Sequence, residues 1–291
     1  MRIALIGYGN VGRAVLASAR QAGDVEVAGI VRRKPEAVAG YKVASDIAEL
    51  GPVDVALLTV PSRSVPDAAE ALLRAGVSTV DSFDIHGEIA AVRARLHAAA
   101  TAGGAVSVLS AGWDPGSDSV IRALLLACAP QGITHTNFGP GMSMGHSVAV
   151  RAIAGVRDAL SMTIPAGESR HRRQVYVELT GSVAFEDVAR AIKADPYFVH
   201  DETHVHQVES VAALRDMGHG VMLTRHGVSG DANNQGFAFS MRIDNPALTG
   251  QLMLSCARAA TRQRPGCYTM IELPMVDLLP GDRESYIAKL V

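Results

Sequence analysis

The sequence predicts an α/β protein with a doubly wound parallel sheet at its N-terminal end and a second α+β domain that contains a mixed or antiparallel sheet. Two observations favour this architecture. Over the first hundred or so residues, short apolar strands alternate with helices, and repeated βα units of this kind build a parallel sheet with helices on both faces. Beyond residue 117, strands follow one another with few helices between them, which is typical of a mixed or antiparallel sheet.

The elements of the first domain, residues 1–116, follow from its apolar runs and from the glycines that end its helices. Apolar stretches bounded by glycine or proline predict the strands, and runs rich in Ala, Arg and Leu predict the helices. The predicted strands are 2–6, 25–31, 54–60, 77–80 and 105–109, and the predicted helices are 13–21, 66–75 and 88–102.

The second domain, residues 117–245, begins with a helix and continues mainly as strands. Its predicted helices are 117–128 and 184–194, and its predicted strands are 160–164, 174–179, 203–208, 220–225 and 236–243. Pro246 then opens a long helix at 247–264, because proline is well tolerated at the start of a helix. We expect residues 246–291 to return to the first domain.

Composition excludes several classes of protein. A chain of 291 residues that is 48% hydrophobic suits one large or two medium domains. Its net charge of −2 gives no electrostatic case for a nucleic-acid partner, and no apolar run approaches a membrane span. The first residues predict a strand rather than a signal peptide, and three cysteines without C-x-x-C spacing indicate reduced thiols. We therefore expect a cytoplasmic protein that acts on a small molecule.

A glycine-rich turn connects the first strand to the first helix. Its residues are Gly7, Tyr8, Gly9, Asn10, Val11 and Gly12. In this strand–turn–helix context the pattern predicts a dinucleotide site of Rossmann type, with the pyrophosphate at the helix N-terminus. The first glycine permits the tight turn, the second the approach of the phosphates, and the third close packing of helix on strand. The alternative is a tight βα turn without a ligand.

The residues after the second strand indicate which dinucleotide binds. Arg32, Arg33 and Lys34 follow that strand, and no carboxylate occurs until Glu36. NAD sites usually place an acidic residue here, whereas guanidinium groups bind a 2′-phosphate well. The sequence therefore predicts NADP as the cofactor, with a solvated basic loop as the alternative. A later strand end adds cofactor residues at the same edge: Thr59, Val60, Pro61 and Ser62.

Two further motifs lie at the carboxyl ends of strands, where open α/β sheets bind their ligands. One spans residues 80–86 and contains Asp81 and Asp84; the other spans residues 110–116 and contains Asp114 beside Trp113, the sole tryptophan. Two carboxylates near a nicotinamide suit a substrate with an ammonium group. The alternatives are an Asx turn for Asp81 and Asp84, and a turn or helix cap for Asp114. The neighbouring cofactor candidates in these motifs are Ser82, Pro115 and Gly116.

Eight motifs in order along nearly the whole chain resemble the meso-diaminopimelate D-dehydrogenase family. They read GYGNVG, VRRK, VDSFDIH, SAGWDPG, FGPGMSMGHS, RHRRQ, GHG and DNPA. The resemblance implies a homodimeric, NADP-dependent enzyme of lysine biosynthesis. Its expected reaction is the reversible oxidative deamination of the D-centre of meso-2,6-diaminopimelate to L-2-amino-6-oxopimelate and ammonia, and the oxo product cyclises to tetrahydrodipicolinate.

The resemblance also implies roles for individual residues. Asp84 and Asp114 would hold the D-centre amino group, and one of them, left open here, would accept its proton. The remaining implied substrate residues are Trp113 and Phe138 as the wall over the nicotinamide, Met142, Met144 and Gly145 as a loop along the substrate, and Thr163, Arg173, His219 and Asn245 at the distal, L-configured end. Arg172 is adjacent to Arg173 and could be the carboxylate-binding arginine instead.

Two positions depart from the family pattern. Members of the family carry Gln and Asp where this chain has Met144 and Val148, which predicts a less polar pocket. A broader D-amino acid dehydrogenase or 2-keto acid aminase is therefore one alternative. Others are a diaminopentanoate dehydrogenase, an enzyme like dihydrodipicolinate reductase, and a non-enzymatic NADP sensor. No metal site is predicted, because His200, His204 and His206 are expected to lie on and beside an exposed edge strand.

Overall fold

The computed structural model describes residues 1–34, 36–181, 183–214 and 218–291. The helices are α1 Asn10–Gln21, α2 Val65–Arg74, α3 Ile89–Gly103, α4 Ser117–Cys128, α5 Met144–Arg151, α6 Phe185–Ala194, α7 Asn245–Ala260 and α8 Arg283–Leu290. The strands are β1 Arg2–Ile6, β2 Glu26–Val31, β3 Val43–Ala44, β4 Val55–Leu58, β5 Ser78–Asp81, β6 Val106–Val108, β7 Gln131–Phe138, β8 Gly141–Met142, β9 Val156–Gly167, β10 Arg170–Leu179, β11 Glu202–Gln207, β12 Gly218–Ser229, β13 Ala232–Asp244 and β14 Gly266–Tyr268.

The chain divides into two compact units, one formed by Met1–Val120 with Pro246–Val291 and the other by Ile121–Asn245. The first unit contains one seven-stranded sheet in the order β14-β6-β5-β4-β1-β2-β3. Every pair of neighbouring strands in it is parallel. The strand order reverses direction at β1, which is the topological switch point where such sheets bind ligands. The predicted Rossmann sheet is confirmed.

Both faces of this sheet are covered, as the uniformly apolar strands require. Leu57 packs into a core on one face, together with Val15 of α1 and Leu254 of α7. Its neighbour Leu58 packs into the core on the other face, with Leu73 of α2. Alternate strand residues point to opposite faces, so an unbroken apolar run is what a doubly covered strand needs.

The C-terminal segment belongs to the first unit. Helix α7 places Met253, Leu254 and Ala257 in the core beside β1. Strand β14 then extends the sheet by pairing with β6. The predicted helix 247–264 is wrong at its end, because α7 stops at Ala260 and a turn leads into β14, a strand that the sequence analysis missed.

The second unit contains two sheets where one was predicted. The four-stranded sheet has the order β11-β10-β9-β8, with β10 and β11 parallel and the other pairs antiparallel. The three-stranded sheet has the order β13-β12-β7 and is antiparallel throughout. The mixed and antiparallel character is confirmed, but β7 was missed because its sequence, QGITHTNF, is largely polar and does not alternate.

The histidine-rich strand lies at the sheet edge, as predicted. His204 and His206 are exposed on β11, where they contact Glu202 and Gln174 at 2.7 Å each. Across the described residues no group of three or more His, Cys, Asp or Glu side chains is placed to hold a metal ion. Within the same residues, the helices are too short or too polar to cross a membrane.

Candidate functional site

The glycine turn has the geometry that a dinucleotide site requires. Gly7 adopts a φ of +97° and donates a backbone hydrogen bond to Val31 at 2.9 Å. A Cβ at Gly7 would lie 2.9 Å from the carbonyl oxygen of Thr59, and a Cβ at Gly12 would lie 2.8 Å from Thr59 Oγ1. Both positions therefore need glycine, because β4 and α1 approach the turn closely.

Gly9 has a different role in the same turn. A Cβ built on Gly9 would meet no atom within 4 Å, so the protein's own packing does not require a glycine at this position. Helix α1 begins at the next residue, and Gly9 provides no side-chain cap for its first N–H groups. An open backbone in front of an uncapped helix start suits a pyrophosphate. The turn therefore fits the dinucleotide predicted from the sequence.

The end of β4 connects the turn to the predicted catalytic residues. Thr59 Oγ1 donates to the carbonyl oxygens of Ile6 and Gly7 at 3.2 and 3.0 Å. Three residues later, Ser62 Oγ donates to Asp84 Oδ1 at 2.6 Å. A residue predicted to line the cofactor therefore holds a residue predicted to bind the substrate.

The basic residues after β2 lie next to the turn. The Arg32 guanidinium lies 5.9 Å from the centre of the Tyr8 ring and pairs with Glu36 at 3.0 Å. Arg33 and Lys34 are exposed. The Glu36 carboxylate is itself largely exposed, and such surface ion pairs contribute little. The ion pair with Glu36 therefore holds Arg32 only weakly.

Asp114 and Trp113 lie in the loop after β6. The Asp114 side chain is 14% exposed, and its Oδ2 lies 3.9 Å from His86 Nε2. Trp113 is 6% exposed. Since β5 and β6 are neighbouring parallel strands, the loops that follow them carry Asp84 and Asp114 at the same edge of the sheet.

Asp81 holds these two loops together, a role the sequence did not reveal. Its Oδ1 accepts backbone hydrogen bonds from Phe83 at 2.9 Å and from Ser110 at 3.2 Å. Its carbonyl oxygen accepts a third from Ala111 at 2.6 Å. The Asx-turn alternative is confirmed for Asp81 through its bond to Phe83. Complete burial raises the pKa of Asp81 to about 7, against the opposing effect of the two backbone donors.

The second unit contains a buried polar cluster centred on Arg173, which is 8% exposed. Its Nη1 donates to Thr163 Oγ1, the side chain directly across from it in the β9–β10 pair. Its Nε donates to Asp201 Oδ2 at 2.6 Å, and its Nη2 lies 2.9 Å from His171 Nε2. Arg172 is exposed, because adjacent strand residues point to opposite faces. Of the two arginines, only Arg173 lies in this cluster.

The turn between β7 and β8 brings other predicted substrate residues to the same place. Phe138 meets the His171 ring edge-on, with the ring centres 6.1 Å apart. A Cβ at Gly139 would lie 2.3 Å from the Thr163 carbonyl oxygen, and one at Gly141 would lie 2.6 Å from His219 Cα. The two glycines therefore allow the turn to pack closely against Thr163 and His219.

His219 and Asn245 complete this arrangement. His219 is buried, and its Nδ1 lies 2.8 Å from the backbone nitrogen and 3.1 Å from the carbonyl oxygen of Gly220. Asn245 Nδ2 donates to the carbonyl oxygen of Met142 at 3.2 Å. The second unit therefore contains Phe138, Met142, Thr163, Arg173, His219 and Asn245, six residues for which the family resemblance implies a substrate role. The sequence analysis missed His171 and Asp201, which both contact Arg173.

The two positions that depart from the family pattern have different environments. Met144 packs against the apolar cluster of Met142, Leu160 and Val211. Val148 lies one helical turn later in α5 and is 41% exposed. Gly145 lies between them in the first turn of α5. Neither side chain donates a hydrogen bond. This stretch therefore presents an apolar surface, whereas the family pattern has polar residues at these two positions.

The chain is similar to known proteins along its full length. Residues 112–169 match the family model described as the diaminopimelic acid dehydrogenase C-terminal domain, and residues 1–84 match the CoA binding domain. The meso-diaminopimelate D-dehydrogenase of Bacteroides fragilis is 60% identical, covering 100% of this chain and 99% of that protein.

Two solved structures share the fold. The diaminopimelate dehydrogenase of Corynebacterium glutamicum, in complex with diaminopimelate, superposes with a TM-score of 0.91 at 31% identity, covering 100% of this chain and 99% of that one. An engineered D-amino acid dehydrogenase bound to NADP⁺ gives a TM-score of 0.93 at 29% identity, with the same coverage. On these similarities, the chain belongs to the meso-diaminopimelate D-dehydrogenase family.

Proposed function

We propose that this protein catalyses the NADP-dependent, reversible oxidative deamination of the D-centre of meso-2,6-diaminopimelate, giving L-2-amino-6-oxopimelate and ammonia. The observation that carries the proposal is the pair of carboxylates, Asp84 and Asp114, in loops after neighbouring parallel strands, with Asp84 hydrogen-bonded to Ser62, four residues after the end of β4. Family membership at 60% identity supports the same substrate.

The chemistry needs few protein groups. NADP, when bound, accepts the hydride. Asp84 and Asp114 bind the ammonium group of the D-carbon, and one of them takes a proton from it, because a neutral amine releases hydride more readily than an ammonium does. The buried Trp113 is assigned to the wall over the nicotinamide, as the family resemblance implies. Loss of hydride and proton leaves an imine, which water opens to the oxo product and ammonia.

The distal end of the substrate is assigned to the polar cluster of the second unit. Arg173 and Thr163 bind the distal carboxylate, since a guanidinium is planar and always charged. The buried His219 is assigned to the same carboxylate, as the family resemblance implies. Asn245 is assigned to the same distal end. Recognition of both ends would select diaminopimelate over amino acids with one carboxylate.

The test is NADPH formation from the three diaminopimelate isomers. We expect turnover of the meso isomer and none of the LL isomer, because only a D-configured carbon is a substrate. The reverse reaction should require ammonia, which a reductase of a cyclic imine would not need. Turnover of the LL isomer, or ammonia-independent reduction, would contradict the assignment. Tight NADPH binding without turnover of any amino or keto acid would favour a sensor.

A second function is favoured by the apolar surface at Met144 and Val148. We infer that the enzyme also oxidises simple D-amino acids and aminates the matching 2-keto acids. Steady-state kinetics with meso-diaminopimelate and a panel of D-amino acids measure this directly. A preference of several hundredfold for diaminopimelate would end the idea.

We propose NADP over NAD because of the cations after β2. Replacing both Arg32 and Arg33 with Ala should lower kcat/KM for NADP by about 10- to 100-fold, the effect of losing charge-assisted hydrogen bonds of about 1.5–3 kcal/mol. Activity with NAD should change little, because NAD has no 2′-phosphate. Arg74→Ala, which removes an exposed arginine of α2, is the control and should change neither value. Equal losses with both cofactors would argue against a phosphate contact.

The second unit supports a homodimer. Ile133 of β7 and Met222 of β12 lie on one face of the three-stranded sheet and are 63% and 48% exposed. Two large apolar side chains exposed on one sheet face suit pairing with a second copy. Light scattering should give the mass of two chains, and a double change of Ile133 and Met222 to Lys should give one. A monomeric wild-type protein at micromolar concentration would contradict this.

A further inference from the structure

We propose that Asp201 is the positioning residue of the distal site: it fixes the guanidinium of Arg173 for the distal carboxylate and so sets the preference for substrates with two carboxylates. The inference builds on the proposed function and adds a residue that neither the sequence motifs nor the family pattern identified. It concerns one buried cluster inside the second unit.

Burial of the charged Arg173 side chain costs free energy. Arg173 is 8% exposed, and a buried charge needs a counter-charge with good hydrogen-bond geometry. Asp201 supplies both, since its Oδ2 accepts the Arg173 Nε–H at 2.6 Å. Its side chain is 16% exposed, so water screens the pair only weakly.

Strand pairing brings Asp201 close to Arg173. Asp201 directly precedes β11, which pairs in parallel with β10 so that Arg173 stands opposite Thr203. Its other oxygen, Oδ1, lies 3.1 Å from His171 Nε2. Burial alone would raise the pKa of Asp201, but the hydrogen bonds from His171 and Arg173 outweigh it and lower that pKa to about 2. The carboxylate is therefore ionised at any pH at which the enzyme works.

The surrounding side chains hold the Arg173 guanidinium in one orientation. Asp201, His171 and Thr163 each contact a different nitrogen of Arg173. The ion pair at Nε and the hydrogen bond at Nη1 hold two corners of the planar group, and a planar fork binds a carboxylate well only when it is held in position. Without the Asp201 charge, the Nε side would lose its anchor and Arg173 could turn away from Thr163. Asp201 thus acts on the substrate through Arg173.

Loss of this positioning should change the kinetics only of substrates that have a distal carboxylate. A distal carboxylate is present in diaminopimelate and absent from D-alanine or D-2-aminobutyrate. A residue that positions Arg173 should affect binding of the first substrate and leave the others unchanged. A residue that merely stabilises the fold would affect all of them alike.

The experiment compares Asp201→Asn with wild type. Asn keeps the shape and one oxygen but removes the charge. We expect the KM for meso-diaminopimelate to rise about 10- to 100-fold, as for a buried charge pair that loses one partner, with kcat within about twofold. The KM or competitive Ki of D-alanine and D-2-aminobutyrate should stay within about twofold. Asp201→Glu, which restores the charge, should recover most of the loss.

The controls separate the possible failures. Asp187→Asn breaks an exposed ion pair with Arg190 in α6 of the same unit and should change nothing. A wild-type enzyme that does not turn over meso-diaminopimelate overturns the proposed function itself. An active wild type with an unchanged Asp201→Asn KM overturns the positioning role alone. An Asp201→Asn protein that melts early and weakens all substrates equally assigns Asp201 to the fold, and so also overturns it.

Discussion

Replacing Asp114 or Asp84 with Asn should lower kcat/KM for meso-diaminopimelate by about 10²- to 10⁴-fold, the range that a positioned proton acceptor contributes. Asn has the same shape and still accepts one hydrogen bond, but it neither attracts an ammonium group nor takes its proton. Steady-state NADPH formation measures the effect, with circular dichroism to check folding. Asp67→Asn, which alters an exposed carboxylate of α2, is the matched control.

The two variants should differ in their pH–rate profiles. The variant that lacks the proton acceptor should lose the acidic limb of kcat, because that limb reports protonation of the acceptor. The variant of the other aspartate should keep the acidic limb of kcat, and its main effect should be a higher KM. Asp84 is held by Ser62 Oγ, whereas Asp114 lies 3.9 Å from His86, so the two carboxylates do not share one environment. A loss of less than tenfold in both variants would remove them from the chemistry.

The fold was predictable where local pattern and burial agree. Strand β4 is an unbroken apolar run because both faces of the sheet are covered, and helix α1 is recognisable from the glycine turn before it. Strand β7 gave no such signal, since its polar residues do not alternate with apolar ones and the strand is at most partly buried. Its partner strand is 80 or more residues away in sequence, so no local pattern could reveal it.

The candidate site was predictable where motifs carry it. Asp84, Asp114 and the glycine turn follow strand ends, and their motifs are contiguous in the sequence. The choice between Arg172 and Arg173 depends on which face of β10 is buried, and this is set by pairing with β9. Asp201 was hidden for a similar reason. It stands 28 residues after Arg173 and meets it only because β11 pairs in parallel with β10.

For Asp81 the sequence offered an Asx turn as the alternative to a role at the ligand-binding edge, and this alternative is incomplete. One Asx turn needs only Phe83, but the same oxygen also accepts the Ser110 N–H from the loop after β6. Within the described part of the chain, the other oxygen, Oδ2, is buried without a hydrogen-bond partner. A neutral acid serves this position as well as an ion does, and burial favours the neutral form.

Asp81→Asn should therefore make the protein more stable than wild type as pH rises. The pKa of Asp81 is raised from 3.8 to about 7 in the folded state, so between these values the unfolded chain loses a proton that the folded chain keeps. Wild-type stability then falls with rising pH through this window and levels off above about pH 7. Asn does not titrate. Relative to wild type, the variant should gain about 2–3 kcal/mol in free energy of unfolding between about pH 5 and pH 8.

Chemical denaturation at the two pH values measures this gain, and Asp24→Asn is a control whose effect should not depend on pH there. Arg258 donates hydrogen bonds that lower the pKa of Asp24 below 3.8, so Asp24 is ionised at both pH values in the folded and the unfolded chain, and Asp24→Asn should lose the same free energy of unfolding at each. Because the Asp81→Asn side chain would keep an oxygen that accepts from Phe83 and Ser110, activity should persist near its wild-type level. If the Asp81→Asn gain does not change with pH, Asp81 is ionised in the folded protein, and a negative charge then lies beneath the two loops that present Asp84 and Asp114.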